Sequence, residues 1–281
     1  MKDSKYNWGY LLIITTISAL GGLLFGYDWV VIGGAKPFYE AYFGISDNTV
    51  LQGWAMSSAL VGCLAGAALS GWLSDRFGRK ILLIFSALLF LLASFGTGSA
   101  GGYSGFVIFR IVGGIGIGLA STLSPMYIAE ITPGSIRGRY VSINQLTIVI
   151  GILAAQIINW RIARPVAPDA TAADIVASWN GQMGWRWMFF ACTVPAALFF
   201  ILTWFVPESP RWLAKKEVNK LKVHMILARI GGDEYAAREF SSISETSLFG
   251  AKENYVFTFS PRTASFLKEQ HIDMVSLGNN H

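Results

Sequence analysis

The sequence predicts an all-α membrane protein with six transmembrane helices, followed by cytoplasmic helices and a short tail of α/β character. Hydrophobic residues make up 53% of the chain and charged residues only 14%, whereas a soluble domain carries about 25% charged residues. A helix needs about 20 apolar residues to cross a bilayer. Six apolar runs meet this length approximately, at 10–32, 51–73, 81–99, 104–128, 140–161 and 185–206.

The lysines and arginines predict that both ends of the chain lie in the cytoplasm, because an excess of these residues marks the cytoplasmic loops. The basic residues do not form one patch, so the net charge of +5 gives no reason to expect a nucleic-acid partner. With the N-terminus inside, the inner group is Lys2, Lys5, Arg76, Arg79, Lys80, Arg137, Arg139, Arg211, Lys215 and Lys216, and the outer group is Lys36, Arg161, Arg164 and Arg186.

Small residues in the apolar runs predict close packing of the helices. Glycines four positions apart let two helix backbones approach each other in a membrane. A Gly-x-Gly-x-Gly run in the fourth span lies within a long apolar helix, so it does not have the strand and turn of a dinucleotide-binding loop. The spaced pairs are Gly22 with Gly26, Gly62 with Gly66, and Gly114 with Gly118.

Two charged residues lie at membrane depth. Asp28 is late in the first span and Arg110 is early in the fourth. An ionised carboxylate in hydrocarbon costs at least about 2.5–3.5 kcal/mol, so Asp28 must face a cavity or a partner, or carry a proton. Because odd spans run outward and even spans inward, both residues lie toward the outer half of the bilayer and we expect them to pair. The alternative is that each reaches the outer surface independently.

Acidic and basic residues occur together in the cytoplasmic links "GWLSDRFGRK", "PMYIAEITPGSIRGR" and "VPESPRWL". A loop that only sets orientation needs Lys and Arg alone. The added acids predict ion pairs between helix ends, which would close the inner face of the protein. The neighbouring charges are Asp75 with Arg76 and Arg79, Glu130 with Arg137 and Arg139, and Glu208 with Arg211.

Several motifs occur in the order of a known family. "GWLSDRFGRK" resembles the signature loop of the major facilitator superfamily, and "RIVGGIGIG", "PMYIAEITPGSIRG" and "PESPRWL" resemble its sugar porter family. "FGYDWVVIGG" and "SINQLTIVIGILAAQ" are similar to that family's first and fifth helices. The resemblance covers residues 9–230 and includes bacterial xylose–proton symporters and facilitative glucose carriers. It implies the N-terminal half of a major facilitator fold, with a transmembrane domain at 1–206 and a cytoplasmic helical linker at 207–232.

The resemblance also implies roles for individual residues. Asp28 would take up the coupling proton, with Arg110 as its partner. The sugar cavity would be lined by Phe25, Gln145, Ile148 and Ile152. The inner gate would be formed by six charged residues of the links, Asp75, Arg79, Glu130, Arg137, Glu208 and Arg211. The xylose symporters have a second glutamine where this chain has Ile152, so the resemblance does not imply xylose as the sugar.

The spacing of the three fifth-helix residues agrees with a sugar site. Gln145, Ile148 and Ile152 are spaced i, i+3 and i+7, which places them on one helix face. An amide suits sugar hydroxyls and an apolar surface suits the C–H faces of the ring. The alternative for Gln145 is a hydrogen bond between helices.

The resemblance implies a transporter rather than an enzyme, with protons as the coupling ion and no other cofactor. The expected partners are a monosaccharide such as a hexose or pentose, the lipid bilayer and a C-terminal six-helix half. The expected location is the inner membrane of a bacterium. Alternatives are a membrane sugar sensor that does not transport, or an inactive truncated or chimeric fragment.

Residues 233–281 depart from this pattern and predict a strand at 255–259, a helix at 261–270 and a strand at 273–277. The closing "DMVSLGNNH" weakly resembles capsule-synthesis-type metallophosphoesterases, which implies Asn280 and His281 as metal ligands. A membrane-anchored hydrolase is a further alternative, and only this segment supports it. Two ligands alone do not make a catalytic metal site. The tail is either a fused foreign fragment or an unusual cytoplasmic extension.

Overall fold

The computed structural model describes residues 6–167, 169–216 and 220–250, with side chains as far as residue 243. Within these residues, six helices are long and apolar enough to cross a membrane, so the predicted six spans are confirmed. The sixth span begins with a π-helical turn, Asn180–Gly184, which leads directly into α7. The helices are α1 Trp8–Tyr42, α2 Thr49–Phe77, α3 Arg79–Ser99, α4 Tyr103–Ile131, α5 Arg137–Ile162, α6 Ala172–Ala177, α7 Trp185–Thr203, α8 Pro210–Lys215 and α9 Lys220–Gly250.

Helix α1 is longer than its apolar run predicts. The sequence prediction ended the span at Ile32, but the helix continues through Pro37 to Tyr42. Its last turns still bury side chains such as Phe38 and Tyr39, and proline is tolerated in membrane helices where neighbours satisfy the freed backbone groups. Hydropathy therefore marked the most apolar stretch and not the end of the helix.

The helices pack closely through small residues, as predicted. The most extensive contacts join α2 to α4, α1 to α5, and α3 to α4 and α7. At several glycines an added Cβ atom would collide with the backbone of the facing helix. The colliding pairs include Gly26 with the Ile148 carbonyl, Gly62 with the Ile111 carbonyl, and Gly114 with the Ala59 carbonyl.

The segment after the sixth span forms two helices where the sequence predicted one at 209–230. Ser209 caps α8 by accepting a hydrogen bond from the Trp212 N–H at 3.2 Å. Helix α9 is interrupted at Gly232, whose φ of +81° lies in the left-handed region. The Asn7 N–H donates to the Ile230 carbonyl at 2.8 Å, which ties the start of α1 to α9. The described residues up to Phe240 form one compact unit.

The predicted tail elements at 255–277 and the predicted metal ligands Asn280 and His281 lie outside the described residues. The described residues contain no strand. The predicted boundary between linker and tail stays a prediction.

The glycine contacts lead to a test of the α2–α4 packing. We expect Gly62→Ala to lower the free energy of unfolding by about 1–3 kcal/mol, because the new methyl group forces two backbones apart. Gly71→Ala, in the same helix, is the matched control, since a Cβ atom there meets nothing within 4 Å. Thermal unfolding of both variants in detergent micelles provides the measurement, and equal melting temperatures would contradict the packing described.

Candidate functional site

A cavity of about 150 Å³ lies between α1, α2 and α4. Residues spaced i, i+4 and i+7 lie along one side of a helix, and both α1 and α2 contribute such a stripe. The wall is formed by Phe25, Asp28, Trp29 and Ile32 of α1, by Met56, Ala59, Leu60 and Cys63 of α2, and by Arg110 and Ile117 of α4.

Among the wall residues just named, Asp28 and Arg110 carry the charges, and they form an ion pair. Arg110 Nη1 donates to Asp28 Oδ1 at 2.6 Å. The Arg110 side chain is only 4% exposed and that of Asp28 is 17% exposed. The guanidinium carbon also lies 6.0 Å from the centre of the Phe189 ring. The alternative in which each charge reaches the outer surface independently is therefore wrong.

Arg110 is incompletely satisfied by this pair. Its Nε atom is buried and has no hydrogen-bond partner. A buried guanidinium donor without a partner is costly. A ligand with acceptor oxygens in the cavity would find a charged donor group beside it.

The residues predicted to line a sugar cavity do not all meet at this place. Phe25 borders the cavity beside Asp28, whereas Gln145, Ile148 and Ile152 of α5 are not part of its wall. Gln145 is exposed, and the other two are half-buried. The Gln145 side chain makes no hydrogen bond within the part of the chain that the structure describes.

Other α5 residues make the hydrogen bonds between helices that were the alternative for Gln145. Thr147 Oγ1 donates to the Ala19 carbonyl at 2.7 Å. Asn159 Nδ2 donates to the Val31 carbonyl at 3.4 Å. Both contacts join α5 to α1, so the exposed Gln145 amide remains available to other groups.

A second cluster of charges lies where α2 ends, α3 begins and α4 ends. Arg79 is at its centre, with a side chain only 9% exposed. Its Nε and Nη2 atoms donate to the Glu130 carboxylate at 3.0 and 2.9 Å. Its Nη1 atom donates to Asp75 Oδ1 at 3.2 Å and to the Ser74 carbonyl at 3.0 Å. A two-pronged arginine–carboxylate contact is among the stronger hydrogen-bonded pairs in proteins.

Glu208 joins this cluster through backbone groups. Its carboxylate accepts from the Arg79 and Lys80 N–H groups at 3.0 and 3.1 Å, and from the Ser209 N–H at 2.8 Å. Gly78, which precedes α3, has no side chain to cap the helix, and its φ is +95°. The carboxylate of Glu208 therefore caps α3, where the positive end of the helix dipole favours a negative charge.

Arg137 and Arg211 lie apart from the Arg79 contacts. Arg211 Nη2 pairs with Glu239 Oε1 at 3.8 Å, and not with Glu208. The Nε atoms of Arg137 and Arg211 are buried without a hydrogen-bond partner. Burial, with Glu239 nearby, raises the pKa of the Tyr235 hydroxyl, while Arg211 and Arg137 oppose the shift. The six predicted gate residues thus divide between two groups of contacts.

Both places contain residues that were not predicted from the sequence. On the cavity side these are Trp29 and the α2 stripe, although Met56, Leu60 and Cys63 have the spacing of one helix face. At the charged cluster it is Lys215, whose Nζ lies 3.6 Å from Asp75 Oδ2. Among the residues that the structure describes, no three His, Cys, Asp or Glu side chains gather as metal ligands.

A six-helix membrane unit with a buried ion pair beside a cavity, and a charge cluster at its helix ends, has the features of a membrane transport protein. A family model described as "Sugar (and other) transporter" matches residues 14–271. The chain belongs to this family, and its six spans have the major facilitator fold.

Two relatives show the extent of the similarity. The D-xylose-proton symporter of Escherichia coli (strain K12) is 39% identical over 274 residues, covering 89% of this chain and 54% of the relative. The arabinose-proton symporter of Bacillus subtilis (strain 168) is 39% identical over 244 residues, covering 86% and 50%. The chain spans about half the length of the curated relatives it matches.

A solved structure shows the same arrangement of helices. The proton:xylose symporter XylE, bound to 6-bromo-6-deoxy-D-glucose, matches with a TM-score of 0.80 and 37% identity. The match covers 95% of this chain and 57% of the XylE chain. The six described spans therefore correspond to part of a longer transporter fold.

The Arg79 cluster can be tested by a double-mutant cycle. For Arg79→Ala and Glu130→Ala we expect a coupling energy of about 1.5–3 kcal/mol, as for hydrogen bonds to charged groups. The control pair is Arg238 with Glu234, at 3.7 Å, whose side chains are 62% and 78% exposed. An exposed pair of this spacing contributes about 0.3–0.5 kcal/mol. Equilibrium unfolding in mixed micelles measures both cycles, and equal coupling energies would show that Arg79 does not hold the helix ends together.

Proposed function

We propose that this chain supplies the N-terminal half of a proton-coupled monosaccharide carrier that works by alternating access. The observation that carries the proposal is the Asp28–Arg110 ion pair in the wall of a cavity within the membrane-spanning helices. Ionisable residues inside a membrane commonly mark proton relays and substrate paths. The names of the relatives, which include xylose, arabinose and galactose symporters, support the class of solute and the coupling ion.

Asp28 is the proposed proton carrier. When it is ionised, its carboxylate compensates the buried charge of Arg110. Protonation removes that compensation and leaves a guanidinium that is 4% exposed without an anionic partner, which is strongly unfavourable. A sugar hydroxyl in the cavity can accept a hydrogen bond from Arg110 and so stabilise the protonated state. Proton uptake and sugar binding then favour each other.

The Arg79 cluster is the proposed gate at the cytoplasmic end. Its contacts join α2, α3, α4 and the segment at Glu208. In this assignment both ends of the chain lie in the cytoplasm and the protein lies in the inner membrane of a bacterium. The distribution of lysine and arginine supports that orientation.

The substrate class is a hexose or pentose, and the complete carrier needs a second six-helix half. Among the described residues of the cavity wall, only Asp28 and Arg110 carry charges, and most of the remaining side chains are apolar. Gln145 on α5 is exposed, and we propose that it contacts the sugar from a surface shared with the second half. Ile148 and Ile152 would supply apolar surface beside it.

Substitution of Asp28 tests the coupling. In Asp28→Asn we expect sugar accumulation against a gradient to fall at least tenfold while sugar exchange across the membrane persists, because the amide cannot take up the proton. The matched control is Asp47→Asn, an exposed aspartate in the link between α1 and α2. Radiolabelled D-xylose uptake and proton uptake are measured in vesicles that contain this chain, alone and together with the C-terminal half of the E. coli relative.

Two outcomes would contradict the proposal. Undiminished accumulation by the Asp28→Asn variant would remove proton coupling from this residue. Sugar binding without any proton uptake by the unmodified chain, even with the second half present, would indicate a sensor instead of a carrier.

A further inference from the structure

Trp29 occupies an unusual position for an exposed tryptophan. It is 57% exposed and lies 13 positions before the last residue of α1, Tyr42. The other exposed tryptophans of the described chain lie within five residues of a helix end. They are Trp8, Trp54, Trp72, Trp160, Trp179, Trp187 and Trp204.

Anchoring at the membrane interface explains those other tryptophans but not Trp29. Tryptophan is enriched where a transmembrane helix meets the headgroups. At 1.5 Å per residue, roughly 20 Å of helix follow Trp29 before α1 ends. Trp29 is also the neighbour of Asp28, which is paired with the buried Arg110. Its position corresponds to the cavity and not to the helix end.

Trp29 forms part of an aromatic wall beside the ion pair. Its ring centre lies 6.5 Å from that of Phe25, one turn earlier on α1, with the ring planes inclined by 47°. Both rings border the same cavity as Asp28 and Arg110. The cavity therefore combines a charged donor group with an aromatic surface that still has free area.

We propose that Trp29 is a sugar-stacking residue that determines how tightly this half of the protein holds its substrate. A pyranose has a rim of hydroxyls and an apolar C–H face. Aromatic side chains offer a large, rigid apolar surface for such a face, and binding sites commonly combine apolar walls with a few polar groups. The ring of Trp29 packs against the C–H face while a hydroxyl accepts from Arg110. This inference rests on the proposed function and adds a substrate contact to it.

The cavity contains its own reporter for the test. Cys63 is a free, half-buried cysteine in the α2 wall, whereas the other cysteine, Cys192, is buried. Alkylation of the native chain by a small maleimide therefore reports on Cys63, and a Cys63→Ser variant gives the background. A sugar that fills the cavity slows this reaction.

The experiment compares the protection of Cys63 by D-xylose and D-glucose in four forms of the chain. We expect protection at similar sugar concentrations in the unmodified chain and in Trp29→Phe, which keeps an aromatic ring. Trp29→Leu, which keeps an apolar side chain but no ring, should need at least tenfold more sugar. Trp72→Ala is the control. Trp72 is exposed near the C-terminal end of α2 and lies outside the cavity wall.

Each result decides the proposal. Equal protection in Trp29→Leu and the unmodified chain would overturn the stacking role, as would the absence of protection by either sugar in the unmodified chain. Proton-coupled uptake that depends on Asp28 would in either case leave the proposed function standing. A melting temperature for Trp29→Leu equal to that of Trp29→Phe shows that any difference in protection does not come from misfolding.

Discussion

The buried ion pair between Asp28 and Arg110 is the constraint on which the arrangement of the first four spans depends. Neither charge is tolerable alone in hydrocarbon, so α1 and α4 must bring the two side chains together. They meet at 2.6 Å although 82 positions separate them in the chain. Glycine contacts meanwhile hold α1 against α5 and α2 against α4. The space left between α1, α2 and α4 is the cavity, and the ion pair forms part of its wall.

The two ends of the bundle are held by different kinds of interaction. At the Arg79 end, charged hydrogen bonds join four chain segments. The Asp75 side chain is 55% exposed, so water can replace its hydrogen bonds when its contacts break. At the other end, Arg186 Nη1 donates to the Gly98 and Ala100 carbonyls. The Arg186 guanidinium carbon lies 4.4 Å from the centre of the buried Trp185 ring. The contacts of the exposed Asp75 are therefore weak in water, whereas the Arg79–Glu130 contact, with side chains 9% and 15% exposed, is the stronger part of the cluster. Opening of the proposed gate would therefore have to break the buried Arg79–Glu130 contact as well as the exposed contacts of Asp75.

The sequence predicted the parts of this structure that composition and topology determine. Six apolar lengths gave six spans, and the alternating direction of the spans placed Asp28 near Arg110. The partner of Glu208 could not be predicted, because it is a set of backbone N–H groups at the start of α3 and side-chain charges do not reveal them. The α2 wall of the cavity was missed because a helix that is apolar on nearly all sides gives no signal for the side that faces a cavity. The continuation of α1 past Ile32 was missed because hydropathy measures solubility in lipid and not helicity.

Under the proposed function, the distribution of polar groups gives a reason why the carrier needs a second six-helix half. A monosaccharide buries several hydroxyls when it is enclosed, and each one left without a partner costs about 1–3 kcal/mol. The described cavity offers one ion pair among mostly apolar side chains. Under the proposed function, that pair is sufficient for the proton, because an acid and its compensating base are both present. It is insufficient for the sugar, whose remaining hydroxyls need donors and acceptors from elsewhere. In that proposal, this chain holds the coupling chemistry, while tight binding of the sugar requires further polar groups brought by a second half.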